Sequence, residues 1–439
     1  MNVNDAWKAI LEKYNIVDKV KQNGLFYITS KEINEFKEAR LMTNFNSSSA
    51  IPEVLRNKKL NILPTSRGSY VIGDFNIYEK VMNLKEHASK MVFVELPNFE
   101  SINVDEITSE ANAINILILS RVLDDFLETD ENFATFNGRM GTKEFDFEID
   151  AINGKKRKID VRNAQCEIDG GFENEDSIII LEAKNVLYED FNVKQLYFPY
   201  RLWRSKVNKP IRLVFSIYSN KIFRLFEYEF TELRNYSSIT LVRHKNYSLE
   251  DTRINLLDLI KLRKTIMIKT NDAKDSTNIP FIQADNFDRI ISLLENIYNN
   301  PMTVEEIAIL MQFDKRQSDY YFNAGKYLGL FEKKDLQGIG MAVYLTKLGE
   351  DVFNLPYKQR QLKLVALMLE HQIFMDLFDF VKSNGRQPGK SMIIDKMKEY
   401  DVCGEPSMER RSLSVRSWLK WIFNLTEIMI EIEPVRLNL

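Results

Sequence analysis

Histidine and cysteine are scarce in this chain of 439 residues, which has three of one and two of the other. His87, His244 and His371 lie far apart in sequence, so a histidine-built metal site or catalytic triad has little to draw on. Cys166 and Cys403 match no zinc-ligand spacing and fit a reducing compartment. No apolar run approaches membrane length, and the first residues show no basic-then-apolar signal. The expectation is a soluble cytoplasmic protein with no membrane partner. An excess of one charge is also missing. A net charge of -3 does not advertise nucleic-acid binding, which would have to come from local basic patches offset by acidic regions. The length allows two to four domains, each with ample core.

What is present is a charged strand end. Residues 165–173 run into an acidic strand containing Glu167 and Asp169, a short polar turn follows, and Ile178 opens an apolar strand that closes on Glu182, Ala183 and Lys184. Residues two apart on a strand share a face, so Glu182 and Lys184 project together, and a returning hairpin can bring Asp169 beside them. The Glu-x-Lys pattern alone says little, since it recurs at Glu35 and Lys37 and at Glu332 and Lys334 without a buried strand or a preceding acid. Here the continuous apolar run from Ile178 to Leu181 indicates a strand covered on both faces. Gln165, Glu167, Asp169 and Glu182 crowd around it, and burying that much negative charge is costly unless a cation is present. Two carboxylates and an ammonium at a sheet end suit a divalent metal with a lysine that handles water, the chemistry of phosphodiester hydrolysis.

At Ile168-Asp169-Gly170, Glu182-Ala183-Lys184-Asn185 and the following helix from Lys194 to Trp203, the chain resembles the PD-(D/E)xK nuclease superfamily, and type II restriction endonucleases in particular. The resemblance implies metal-binding Asp169 and Glu182 and a catalytic Lys184, with Ile168 where the family's name has proline. Gln195 fits the family's helical glutamine, whereas Tyr200 falls one residue later than its usual tyrosine. Glu110 is the candidate for the glutamate of the first core helix, and equally suits an acid in a helix's first turn. Glu167 shares the strand face of Asp169 and is a candidate for an accessory ligand or for the true ligand in place of Asp169. The implied cofactor is Mg²⁺, held by Asp169, Glu182 and a backbone carbonyl near Ala183. Beside a dication Lys184 should find its own proton less favourable and help to deprotonate the water. Products with 5′-phosphate and 3′-hydroxyl ends, a homodimer on a palindromic double-stranded DNA site, and a cognate DNA methyltransferase as genetic partner follow from the same resemblance.

The fold class expected is α/β (α+β), a PD-(D/E)xK core of helix-packed mixed sheet followed by mainly α winged-helix modules. Residues 1–100 read as a mixed α/β region, with helices over 5–15 and, capped by Ser30, over 30–41, and short strands at 60–64 and 68–73. Residues 101–270 read as the nuclease domain in the order αβββαβ plus one strand, with an apolar helix over 110–127 and a first core strand over 144–150. Within it, 137–142 reads as a loop in which Gly138 and Gly141 flank Arg139. That loop reaches DNA on one reading and is an ordinary tight turn on the other. A linker is expected over 270–280.

Residues 281–355 read as a winged helix whose third helix, 315–328, carries Arg316, Gln317, Tyr320, Tyr321 and Asn323, side chains able to read base edges. Such domains also dock proteins. Residues 356–439 read as a second helical module, with a long apolar helix over 361–383, a short one over 392–400 and a third over 409–423. The third carries Arg410, Arg411, Arg416 and Lys420 opposite a stripe of Trp418 and Trp421. The arginines are a phosphate clamp on one reading and a solvated face on the other. Two rivals to restriction stand: a winged-helix DNA-binding regulator with an inactive nuclease-like domain, and a repair or modification-dependent nuclease of the same fold.

Overall fold

The computed structural model describes residues 2–82, 99–103, 106–250, 253–269, 279–336, 338 and 340–426. The expected linker lies outside the described residues except for Ile279 and Pro280. The protein is a mixed α and β chain built on one large sheet.

The N-terminal unit runs α1 (Val3–Lys13), α2 (Ile16–Asn23), β1 (Leu25–Thr29), α3 (Ser30–Asn34), α4 (Ala39–Thr43), α5 (Glu53–Asn57), β2 (Asn61–Ser66) and β3 (Ser69–Gly73). Its three strands form an antiparallel sheet in the order β1-β3-β2, packed on a core around Trp7, Ile10 and Met42. The cap expected at Ser30 is instead Thr29, which forms a reciprocal capping box with Glu32. Glutamate three residues after a threonine satisfies two helix-start amides at once. Strand β4 (Tyr78–Lys80) leads on to the central unit.

The central unit contains α6 (Glu110–Leu119), α7 (Val122–Leu127), β5 (Phe133–Gly141), β6 (Glu144–Asp150), β7 (Lys156–Arg162), β8 (Gln165–Glu173), β9 (Ile178–Lys184), β10 (Asp190–Asn192), α8 (Lys194–Arg204), β11 (Ile211–Ser219), β12 (Ile222–Phe230) and β13 (Ile239–Ser248). Six strands form one sheet in the order β13-β12-β11-β9-β8-β5. Strands β9 and β11 are parallel and the other neighbours antiparallel, so the sheet is mixed and α8 is the crossover. Strand β9 is buried along its whole length. Its Ile179, Leu181 and Ala183 pack on the side of α6 and α7, while Ile180 faces α8.

Three expectations change here. Of the segment 137–142, residues 137–141 are strand rather than loop, because the bulge at Gly138, with φ +93°, keeps the pairing with β8 going. That pairing is very close at Gly171, where an added Cβ would lie 2.4 Å from the carbonyl oxygen of Phe136. The strand at 144–150 is outside the main sheet: β6 pairs with β7 and makes one isolated bridge from Glu148 to Asn235, and this ribbon lays Phe147 over Tyr197 and Tyr236. Its strict alternation leaves one face for water, as suits a ribbon on a helix. The apolar helix over 110–127 breaks at Arg121, whose φ is +56°.

Helix α9 (Leu256–Thr265) leads to the C-terminal unit: α10 (Phe287–Ile297), β14 (Met302–Thr303), α11 (Val304–Met311), α12 (Lys315–Tyr327), β15 (Phe331–Leu336), β16 (Gly340–Leu345), α13 (Lys347–Phe353), α14 (Tyr357–Leu369), α15 (Gln372–Asn384), α16 (Lys390–Glu399) and α17 (Glu405–Asn424). The small sheet has the order β14-β16-β15, and Thr303 caps α11 through a capping box with Glu306. The long helix expected over 361–383 is two helices, parted at Glu370 and His371. Residues of α10 to α17 share one apolar core, which Val186, Tyr188, Ile222 and Ile254 of the preceding chain also enter.

Candidate functional site

The carboxyl end of β9 places Glu182 and Lys184 on the face toward α8, both buried. Strand β8 pairs Gly170 with Leu181, so Asp169 stands beside the same strand end and its Oδ2 accepts the Ala183 amide at 2.9 Å. The Lys184 Nζ lies 2.7 Å from Glu182 Oε1, 3.6 Å from Asp169 Oδ2 and 3.6 Å from Glu110 Oε1. It also donates to the Ala183 carbonyl at 2.7 Å. Glu110 is the first residue of α6, whose N-terminus reaches the strand end from the opposite side of the sheet from α8. Gln195, in the first turn of α8, donates its amide to Glu182, and its own oxygen is buried without a hydrogen-bond partner. Five side chains from two strands and two helices thus meet at one point.

Burial pushes the carboxyl of Glu182 up from its ordinary value, despite the ammonium beside it. Burial alone would push Lys184 down, but the carboxylates of Glu182, Glu110 and Asp169 outweigh it and hold the lysine charged. Burial also raises Glu110. Lys184 is the one ammonium ion-paired with these three acids among the described residues, while Lys194, which also feels Glu182, is pushed down to about 8 by burial.

Among the described residues, no three His, Cys, Asp or Glu side chains are grouped so as to hold a metal ion. The geometry gives a reason: the lysine ammonium itself sits among the carboxylates. The donors nonetheless suit a hard dication, being carboxylate oxygens with an unpartnered amide oxygen of Gln195 next to them.

Other residues singled out in the sequence fall elsewhere. Glu167 turns to Arg139, 3.2 Å away, and both side chains are more than half exposed. Tyr200 stacks on Phe230. On α12, Arg316 is exposed, Gln317 is half-buried, and Tyr321 is buried against Phe313. The guanidinium of Arg316 lies 5.6 Å from the Tyr320 ring, and that of Arg410 on α17 lies 5.7 Å from the same ring. The two helices therefore contribute to one basic surface. Arg411 instead donates inward to the Phe281 carbonyl, and Arg416 has a buried guanidinium nitrogen. Trp418 and Trp421 are core, donating to Ala284 and Asp288. The motif at the end of β9 includes Asn185 but gave it no role, and its side-chain amide donates both to the Thr108 carbonyl just before α6 and to Asn296 of α10. A lone asparagine after a strand carries no signal that would have found it.

Three family models match the chain, each described as a domain of unknown function: DUF6996 over residues 4–72, DUF6997 over 73–248 and DUF7226 over 289–427. The middle match covers the whole six-stranded sheet and the cluster at its centre. No curated protein and no solved structure matches. Among the described residues, no helix is long and apolar enough to cross a membrane.

Proposed function

We propose that the protein is a Mg²⁺-dependent nuclease of the PD-(D/E)xK kind that cuts double-stranded DNA, acting as a type II restriction endonuclease. The observation that carries this reading is the convergence of Asp169, Glu182 and Glu110 on Lys184 at the end of a buried strand, with Gln195 bonded to Glu182. Asp169 and Glu182 would hold the metal, with Glu110 and the Gln195 oxygen beside them; when bound, Mg²⁺ supplies charge stabilisation on phosphate and acidifies water. Lys184 orients the attacking water and presents positive charge to the phosphate. The water oxygen bonds to phosphorus as the bond to the 3′ oxygen breaks, and the departing oxygen takes a proton. The ends are a 5′-phosphate and a 3′-hydroxyl.

The C-terminal order α10, β14, α11, α12, β15, β16 is that of a winged helix, with α12 as the recognition helix. Arg316 and Arg410, flanking Tyr320, face the DNA there, and Arg139 lies at the free edge of the main sheet. One cleavage site per chain implies a homodimer for cutting both strands, and a cytoplasmic methyltransferase protecting the same sequence. The test is digestion of an unmethylated plasmid with Mg²⁺ by the full chain, followed by sequencing of the ends. Fragments ending at one recurrent short sequence support the reading, and intact plasmid under all divalent metals refutes it.

A further inference from the structure

Helix α10 is an unusual docking helix because much of the face it turns to the central sheet is polar. Arg289, Ser292, Glu295 and Asn296 are all buried. Glu295 accepts the amide of Asn220 in the β11–β12 turn at 2.8 Å, and Arg289 donates to the Leu187 carbonyl at 3.2 Å. Asn296 and Asn185 bond reciprocally: Asn185 Nδ2 donates to Asn296 Oδ1 at 2.9 Å, and Asn296 Nδ2 donates to the Asn185 carbonyl at 3.1 Å. Apolar surface would dock the helix without these directional demands. Paired amides fix one register, because any shift leaves buried polar groups unsatisfied.

The register so fixed is that of the candidate site. Asn185 is the residue after Lys184, and its amide donates to the Thr108 carbonyl at 3.3 Å as well. Thr108 precedes Ser109, the cap of α6, and Glu110, so one asparagine ties together the lysine strand, the glutamate helix and α10. On its far side α10 packs against α12 and β16. Tyr188, four residues after Lys184, donates to the Leu310 carbonyl of α11 at 2.8 Å. Helix α11 is thus tied by the Tyr188 hydrogen bond to the segment that follows Lys184, and α12 bears on α10 by packing, so the C-terminal unit reaches the Lys184 strand both through Tyr188 and through the Asn296–Asn185 pair.

We infer that Asn296, paired with Asn185, is a positioning residue through which the C-terminal helical unit sets the geometry of Lys184 and Glu110. This rests on the nuclease reading above. The test compares Asn296→Ala with Gln361→Ala in the full chain. Gln361 donates to Asn220 across the same interface, outside the hydrogen bonds that link Asn296 to the Lys184 strand, and so controls for docking alone. Plasmid cleavage with Mg²⁺ and calorimetric Mn²⁺ titration are the readouts. In Asn296→Ala, kcat and Mn²⁺ affinity should each fall by about 10- to 100-fold, as on losing a group that orients metal ligands, with KM for plasmid unchanged. Gln361→Ala should keep both near the wild-type values at a similar loss of thermal stability. Wild-type kcat and Mn²⁺ affinity in Asn296→Ala, or an equal loss in Gln361→Ala, overturns the inference while leaving the nuclease intact. A wild-type chain that neither cuts plasmid nor binds Mn²⁺ overturns the nuclease reading, and the positioning role with it.

Discussion

Two charged clusters occupy the main sheet, and they differ in how their charges are matched. Along β13 a cleft of about 400 Å³ is lined by Asp125, Glu128, Arg243, His244 and Lys245. Behind it Arg212 and Arg243 share Glu227 at 2.6 and 3.0 Å, Arg243 also meets Glu128 at 2.9 Å, and Lys245 meets Asp125 at 2.6 Å. Acids and bases there match one for one. At the end of β9 three carboxylates share a single lysine. The open cleft is electrically settled, while in the tight cluster three acids are ion-paired to one ammonium, with Lys194 nearby. On the proposed nuclease reading, charge balance more than open volume separates the structural network from the cluster that would take a cation.

The comparison breaks most sharply at Lys184. Lys184→Ala should lower plasmid cleavage by about 10²- to 10³-fold, the range for losing a group that stabilises developing charge, while DNA binding survives. Glu182→Ala or Asp169→Ala should abolish cleavage and Mn²⁺ binding together, as calorimetry would show. Unchanged Mn²⁺ affinity in both would move the metal elsewhere. Glu227→Ala sharpens the contrast from the other side. It takes the only paired carboxylate from Arg212 among the described residues and leaves Arg243 with Glu128, so denaturant unfolding should show a loss of about 3 kcal/mol, reduced by the partial exposure of the arginines, with metal binding and cleavage untouched.

Smaller effects are expected on the outer surface. Arg316→Ala should weaken the preferred DNA sequence by about 1–3 kcal/mol over random DNA, and Arg410→Ala should flatten the salt dependence of binding by about one unit. Arg411→Ala should cost about 1 kcal/mol of folding stability through its bond to Phe281 and leave the salt dependence alone.

The acids and lysine were legible because strand alternation converts sequence spacing directly into direction. Asp169, Glu182 and Lys184 needed only a hairpin to meet. Membership of the sheet was harder to read. Strand β5 has glycines at Gly138 and Gly141 where side chains would announce alternation, so it resembled a turn. Strand β6 alternates well and looked like a core strand, yet its exposed face keeps it on the outside of the helix it covers. Helix breaks at Arg121 and His371 leave no proline or glycine to mark them. The inward turn of Arg411 was equally hidden, since a base on an amphipathic helix reads as solvated until its neighbours are known. Nothing local could link Asn185 to Asn296 either, because they are 111 residues apart in the chain and their pairing exists only after docking.

The shared apolar core has a consequence for anyone dividing this chain. Val186, Tyr188, Ile222, Ile254 and Leu259 are covered by residues beyond 280. A fragment ending at residue 269 would show those side chains to water and leave the Tyr188 hydroxyl without Leu310. It should clump on expression instead of behaving as a smaller, less selective enzyme. Grafting the helical unit onto another nuclease sheet would meet the same obstacle, since half of its seat is built into this one.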